Sequence, residues 1–347
     1  MPLSEIEVFL RSVRPTLGEE AARLSADLLN AATGFVADHP ERIDLKITAS
    51  AIAEMRDAFR AFAPYRHIPK VTIFGSARTQ ADEPLYTQAE DVARLFAAQG
   101  WMVVTGAGPG IMAAASEGAG RAHSFGVNIR LPFEQGANPF IDSDTKLVSM
   151  KYFFTRKLML MKESKAYVCL PGGFGTLDET FELLTLTQTG KGLPAPIVFL
   201  DTPGETFWGP VHELISTVLL PRHLIEPADL GLFLVTDQSQ LALDEINDFY
   251  RNYHSIRFFG DDLVIRLMHA PTSAQLAALN TEFADICNGG PIALTAPWTA
   301  EIAEDDHPDL VRLSLRFDKR HWSRLRSLIN ALNRSSTNLD TGQRPRG

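Results

Sequence analysis

From Val71 onward the hydrophobic positions come in short continuous runs, and amphipathic stretches fill the gaps between them. The runs are VTIF (71–74), MVVT (102–105), FGVNI (125–129), KLVSM (146–150), AYVCL (166–170), PIVFL (196–200) and LFLVT (232–236). Strands that are apolar on both faces and separated by helices belong to a parallel sheet covered on both sides. The expected fold class is therefore α/β, a doubly wound parallel sheet over residues 67–253. Its helix at 86–99 is expected to open at the capping box Thr87-x-x-Glu90. Ligands of such sheets sit at the carboxyl ends of the strands, and that rule directs the search for chemistry.

The pattern differs on either side of this region. Residues 1–66 read as an N-terminal helical extension. Ser4-x-x-Glu7 and Thr16-x-x-Glu19 are capping boxes, Ala21, Leu24, Leu28 and Leu29 share one helical side, and 48–63 forms a further helix before Pro64. No chemistry is visible there, and packing or oligomer contacts are the expected role. Residues 254–334 read as a small C-terminal α+β domain, with DLVIRLM (262–268), a helix over 272–288, a strand near 291–295, VRLSLRF (311–317) and a helix over 320–333. The acidic stretch Glu301 to Asp309 is expected to be a loop, and 335–347 a disordered tail without periodicity.

Composition narrows the function classes. A chain of 347 residues suggests about two domains. Its net charge of −9 argues against coating nucleic acid or anionic lipid, but leaves small phosphorylated substrates open. The two cysteines, Cys169 and Cys287, make neither a disulfide framework nor a zinc site, and Cys169 inside AYVCL reads as a buried structural thiol. Nine histidines are scattered singly, so no metal is expected. Glu5 and Glu7 stand where a signal peptide would be basic, and no apolar stretch approaches 18 residues. The expectation is a cytoplasmic protein without a membrane partner.

Three strands run into glycine-bearing loops: Gly75-Ser76-Ala77-Arg78, Gly106-Ala107-Gly108-Pro109-Gly110, and Pro171-Gly172-Gly173-Phe174-Gly175-Thr176. Each sets small residues and free backbone N–H groups at or near a helix start, which is an anion site by geometry and dipole. Three in one sheet point to a phosphate-bearing ligand. The dinucleotide fingerprint fits only in the relaxed frame Gly108-x-Gly110-x-x-Ala113, and the next strand ends in Asn128-Ile129-Arg130 without an acidic residue for a ribose diol. Arg130 on a 2′-phosphate keeps an NADP enzyme open; the absence of GxxxxGK[ST] removes a P-loop NTPase.

The third loop continues into Leu177-Asp178-Glu179, and Arg156-Lys157 stands upstream of it. This PGGxGTxxE motif with its RK pair resembles the LOG family, the cytokinin-activating phosphoribohydrolases and their bacterial nucleoside-monophosphate nucleosidase relatives. The resemblance extends through GSAR (75–78), TGAGPGIMAAASEGA (105–119) and GVNIRLPFEQGANPF (126–140), and so covers about residues 70–240. It implies a Rossmann-like fold, a homodimer or higher homo-oligomer, no cofactor, and hydrolysis of the N-glycosidic bond of a nucleoside 5′-monophosphate. Members are often labelled lysine decarboxylases, but nothing in this sequence looks like a pyridoxal-phosphate site.

Matched by motif, Glu179 is the catalytic carboxylate and Arg156 its partner, which binds and orients the nucleotide. Lys157, Gly172, Gly173, Gly175, Thr176, Ser76, Gly108 and Gly110 are expected at the substrate, as is one of Glu134, Gln135 and Asn138 on the loop after 125–129. Thr185 matches a family contact position, yet lies nine residues beyond Thr176, on the far side of a straight helix. Glu179 is expected in the first helical turn, where the helix dipole favours its ionised form; Thr176-x-x-Glu179 also reads as a capping box. The second loop carries Ala107 and Ala113 where plant-type members tend to have glycine, and the terminal extensions are absent from short members. Both departures favour plain nucleotides, AMP first, over cytokinin specificity. The rival class is a non-catalytic nucleotide or molybdenum-cofactor binder, for which a carboxylate beside the phosphate loop would repel the ligand.

Overall fold

The computed structural model describes residues 18–130 and 136–336, with Val8 and Ser12 besides. It divides after Asp57 into two compact units. The first holds α1 (Glu19–Ala37) and most of α2 (Arg42–Phe62). The capping residues Ser4, Glu7 and Thr16 lie outside the described residues, as does the expected tail from 337 on.

The second unit contains two sheets. Seven parallel strands are β1 (Lys70–Phe74), β2 (Met102–Thr105), β3 (Ser124–Ile129), β4 (Leu147–Met150), β5 (Ala166–Cys169), β6 (Ile197–Leu200) and β7 (Phe233–Thr236). Their order is β4-β3-β2-β1-β5-β6-β7. This is the expected Rossmann-like, doubly wound sheet, and the direction of winding reverses between β1 and β5. Between the strands run α3 (Pro84–Ala98), α4 (Ile111–His123), α5 (Phe153–Lys162), α6 (Phe174–Gln188), α7 (Trp208–Leu214) and α8 (Ser239–Phe249). One face of the sheet buries Val71, Ile73, Val103, Val168 and Val198 against Val92, Phe96, Ile111, Ala114 and Ile246 of the helices. α3 starts three residues before the expected capping box, because Pro84 occupies its first position, where a missing N–H costs nothing.

The second sheet is antiparallel and four-stranded, in the order β10-β11-β9-β8. Its strands are β8 (Tyr253–Phe259), β9 (Asp262–Leu267), β10 (Ala293–Thr295) and β11 (Val311–Arg316), with α9 (Ser273–Glu282), α10 (Thr299–Ala303) and α11 (Trp322–Ser336). Its core joins Leu263, Ile265, Leu313 and Leu315 to Leu325, Leu328 and Ile329 of α11. Three expectations need correction here. Strand β8 was not anticipated, because His254, Ser255 and Arg257 interrupt its apolar positions. The acidic stretch is not all loop: α10 carries Glu301 to full burial, where Arg266 and Arg312 both bond its carboxylate. The last helix runs two residues into the expected tail. None of the described helices is long and apolar enough to cross a membrane.

The second sheet's last helix meets α6. Gly190, just beyond α6, has φ +68°, and an added Cβ would lie 1.9 Å from the Trp322 ring. Gly190→Ala should therefore cost roughly 2–5 kcal/mol, from a left-handed alanine and a displaced indole together. Chemical denaturation would measure it; an unchanged midpoint would show that Trp322 does not rest on this turn.

Candidate functional site

β1, β2 and β5 end side by side where the sheet reverses, and the loops leaving them are tied to one another. The Ser76 N–H donates to the Pro171 carbonyl at 3.1 Å, and the Ile111 N–H donates to the Ser76 carbonyl at 2.9 Å. An added Cβ on Gly172 would lie 2.2 Å from Thr176 Oγ1 and 3.0 Å from Ser76 N, so the first and third loops close only around glycine. Together they border a cleft of about 740 Å³ lined by Ser76, Gly108, Gly172, Gly173, Gly175, Thr176, Arg156 and Glu179. The first N–H groups of α6, including those of Phe174, Gly175 and Thr176, have no acceptor within the helix. They supply the anion-binding end of the cleft.

Arg156 is held on three sides. It projects from α5 and is only 8 % exposed. Its Nε donates to the Val127 carbonyl at 2.9 Å, and its Nη1 donates to Glu179 Oε1 at 3.2 Å. Beside it, an added Cβ on Gly106 would lie 1.9 Å from Nη2, so the second loop must be glycine at this point to admit the guanidinium. The sequence places Arg156 and Glu179 far apart; β3, α5 and α6 bring them together.

Glu179 differs from expectation in one respect. α6 starts at Phe174 with Gly173 as its N-cap and no side-chain cap. Glu179 therefore lies in the second turn, beyond the reach of a capping box, and the dipole does not set its ionisation. The side chain is 13 % exposed. Burial raises its carboxyl to about 6, against the opposing pull of Arg156 and Lys157. Such a carboxyl changes between charged and neutral around pH 6 and is mostly charged at pH 7. Behind it, Cys169 is fully buried and its thiol is pushed up to about 12 by burial, which bears out its structural reading.

The remaining expected residues separate. Lys157 points away from the cleft, with Nζ 2.6 Å from Asp178 Oδ2 and 2.6 Å from Glu182 Oε2. One residue along a helix turns the side chain by about 100°, so the RK pair cannot serve one site together. Thr185 shares that outer recess with Lys157 and Asp178, and its hydroxyl donates to the Phe181 carbonyl. Asn138 is buried outside the cleft wall, where its Nδ2 donates to the Gly108 carbonyl at 3.1 Å and its N–H to the Ala107 carbonyl at 2.8 Å. It holds the second loop in place. Gly110 is likewise off the wall, at the start of α4 with φ +65°. Glu134 lies outside the described residues. Sequence reasoning missed Arg78, Met112, Asn128, Phe153 and Phe174 on the wall. Arg78 ends the GSAR segment and Asn128 is the next-to-last residue of β3, so position at the sheet's carboxyl edge was the available signal. Among the described residues, no group of three His, Cys, Asp or Glu stands where it could hold a metal ion.

A family model described as possible lysine decarboxylase matches residues 111–246. A cytokinin riboside 5′-monophosphate phosphoribohydrolase from Mycobacterium marinum is 33% identical over 159 residues, which cover 45% of this chain and 79% of the relative. A probable enzyme of the same name from Oryza sativa subsp. japonica is 31% identical over 182 residues, covering 51% and 82%. Among solved structures, the molybdenum cofactor binding protein from Rippkaea orientalis matches with 19% identity and a TM-score of 0.35, over 51% of this chain and 94% of that one. With relatives above 30% identity over most of their length, the chain belongs to the LOG family.

Proposed function

We propose that the protein hydrolyses the N-glycosidic bond of a nucleoside 5′-monophosphate, AMP first, to free base and ribose 5-phosphate. The observation that carries this reading is the buried Arg156–Glu179 pair set in the wall of a cleft whose other end is a phosphate cradle. The phosphate docks at the start of α6, which directs the ribose toward Glu179. As the C1′–N bond breaks, its electron pair leaves with the base and positive charge builds on the ribose; the Glu179 carboxylate stabilises that charge. A water oxygen bonds to C1′, one of its protons passes to Glu179, and that proton is returned to the departing base nitrogen. A carboxyl near 6 suits both transfers. Arg156, fixed by the Val127 carbonyl, keeps the carboxylate in place. The cleft walls set Met112, Phe153 and Phe174 beside the polar side chains of Ser76, Asn128 and Thr176, a mixture that fits a base, a ribose and a phosphate. The same reading makes the protein a homo-oligomer, for Phe153, Phe154 and Leu158 of α5 are exposed apolar residues beside the cleft.

Three outcomes test it. Incubated with a panel of nucleoside monophosphates, the protein should release free base from AMP and far less from adenosine. Glu179→Gln should lower kcat by about 10²–10⁴-fold while AMP affinity holds or tightens, because carboxylate–phosphate repulsion is removed. Turnover within about threefold of wild type would take Glu179 out of the mechanism. Tight AMP binding without release of base by the wild type would favour a carrier.

The raised carboxyl gives a test that needs no substrate. Glu179 ionises at about 6 in the folded state and near 4.5 in the unfolded one, so the folded state holds its proton longer. The Glu179 contribution to stability is therefore complete below about pH 4.5 and declines as pH rises through 6, by about 2 kcal/mol. Wild-type stability relative to Glu179→Gln should fall across that window in denaturation at a series of pH values. A rise over the same window would show that Arg156 outweighs burial. In solution, light scattering should give a mass above one chain, reduced by Phe154→Glu or Leu158→Glu.

A further inference from the structure

A nucleoside monophosphate brings close to two negative charges, and among the described residues the basic side chains on the cleft wall are those of Arg78 and Arg156. Arg156 is committed to the Glu179 carboxylate and the Val127 carbonyl, so the pair adds little net charge. Lys157 is turned outward between Asp178 and Glu182. Arg78 differs from both. It follows β1, lines the same cleft as the start of α6, and is exposed. Its backbone N–H is held by Ser76 Oγ at 3.1 Å, and its carbonyl accepts from Gln80 Nε2 at 2.7 Å. These bonds engage the main chain of Arg78 and not its guanidinium. Among the described residues no carboxylate lies within ion-pair distance of it. The loop that carries it is in turn tied to the phosphate cradle by the Ser76–Pro171 bond.

We propose that Arg78 is the specificity-determining cation of this site, which pairs with the substrate's 5′-phosphate at the N-terminus of α6 and so sets the preference for nucleotide over nucleoside. This deepens the phosphoribohydrolase reading and rests on it. A guanidinium suits the task because its planar fork meets two phosphate oxygens at once, while the α6 N–H groups take the others. The backbone cradle is built to accept an anion of any identity; the added positive charge makes a dianion worth more than a neutral hydroxymethyl group.

The test compares AMP with adenosine for wild type, Arg78→Ala and Arg78→Lys, by kinetics and by calorimetric binding. Arg78→Ala should raise KM and Kd for AMP by about tenfold or more, with the smaller share of the loss in kcat, and should lower the AMP-to-adenosine ratio of kcat/KM by a similar factor. Arg78→Lys should recover part of that ratio. Inorganic phosphate should inhibit AMP hydrolysis competitively in wild type and several-fold less well in Arg78→Ala. An AMP-to-adenosine ratio that Arg78→Ala leaves within about twofold would overturn the assignment while leaving the reaction itself intact. If wild type releases no base from any nucleotide, the reaction fails but Arg78 is still judged by binding: loss of AMP affinity in Arg78→Ala supports it, and equal affinity rejects it. Failure of the wild type to bind AMP at millimolar concentration would overturn both.

Discussion

The pairing of Arg156 with Glu179 is the contact on which the site depends. Burying two charges is costly, and their attraction offsets the cost only where geometry and further hydrogen bonds are good. Here the Val127 carbonyl accepts from the same guanidinium, and Gly106 leaves room for it where any side chain would collide. The ends of β2 and β3, with α5 and α6, therefore have to meet at one place for the pair to be satisfied. The reverse also holds. The loops need the parallel sheet to bring them together, and the sheet's switch point is where β1 and β5 diverge.

Much of this was legible in the chain. Seven short apolar runs became the seven parallel strands to within a residue or so, because strands buried on both faces, such as β2, β5 and β6, concentrate apolar residues in short stretches between helices. The three glycine loops were legible for the same reason: close approach of backbones admits few other residues. What could not be read was direction. Lys157 follows Arg156 in sequence and matched the same motif, yet helix geometry sends it to the opposite side of α5's contact with α6. Asn138 sat at the correct sheet edge but is spent on the Gly108 carbonyl. Glu179 was placed one turn too early, since Gly173 starts α6 without a side-chain cap to mark it. β8 escaped notice because half of its positions face a charged layer rather than a core.

That charged layer shows how the second sheet manages polar burial. Glu301, fully buried, accepts from Arg266 at 2.9 Å and from Arg312 at 3.0 Å, while Arg312 also donates to the His307 carbonyl at 2.8 Å. Arg257 joins through Glu304 and Asp306. The acidic stretch that reads as a solvated loop is thus a strap, fastened to the strands by three arginines.

The second sheet also bears on the first. α6 carries Glu179 near its start, and its last turn is gripped from the other side. Gln188 Nε2 donates to Asp229 Oδ2 at 2.5 Å, Ser323 Oγ donates to the other oxygen of the same carboxylate, and Trp322 packs on Gly190. At the near end, Lys157 bridges α5 to Asp178 and Glu182 of α6. On the proposed reading, a carboxylate that meets a charge developing only at the transition state gains from a rigid support. A helix fixed at both ends cannot slide or tilt to relax an ill-placed buried carboxylate. Through Trp322 and Ser323, the last helix of the second sheet thereby shares in fixing the helix that carries Glu179.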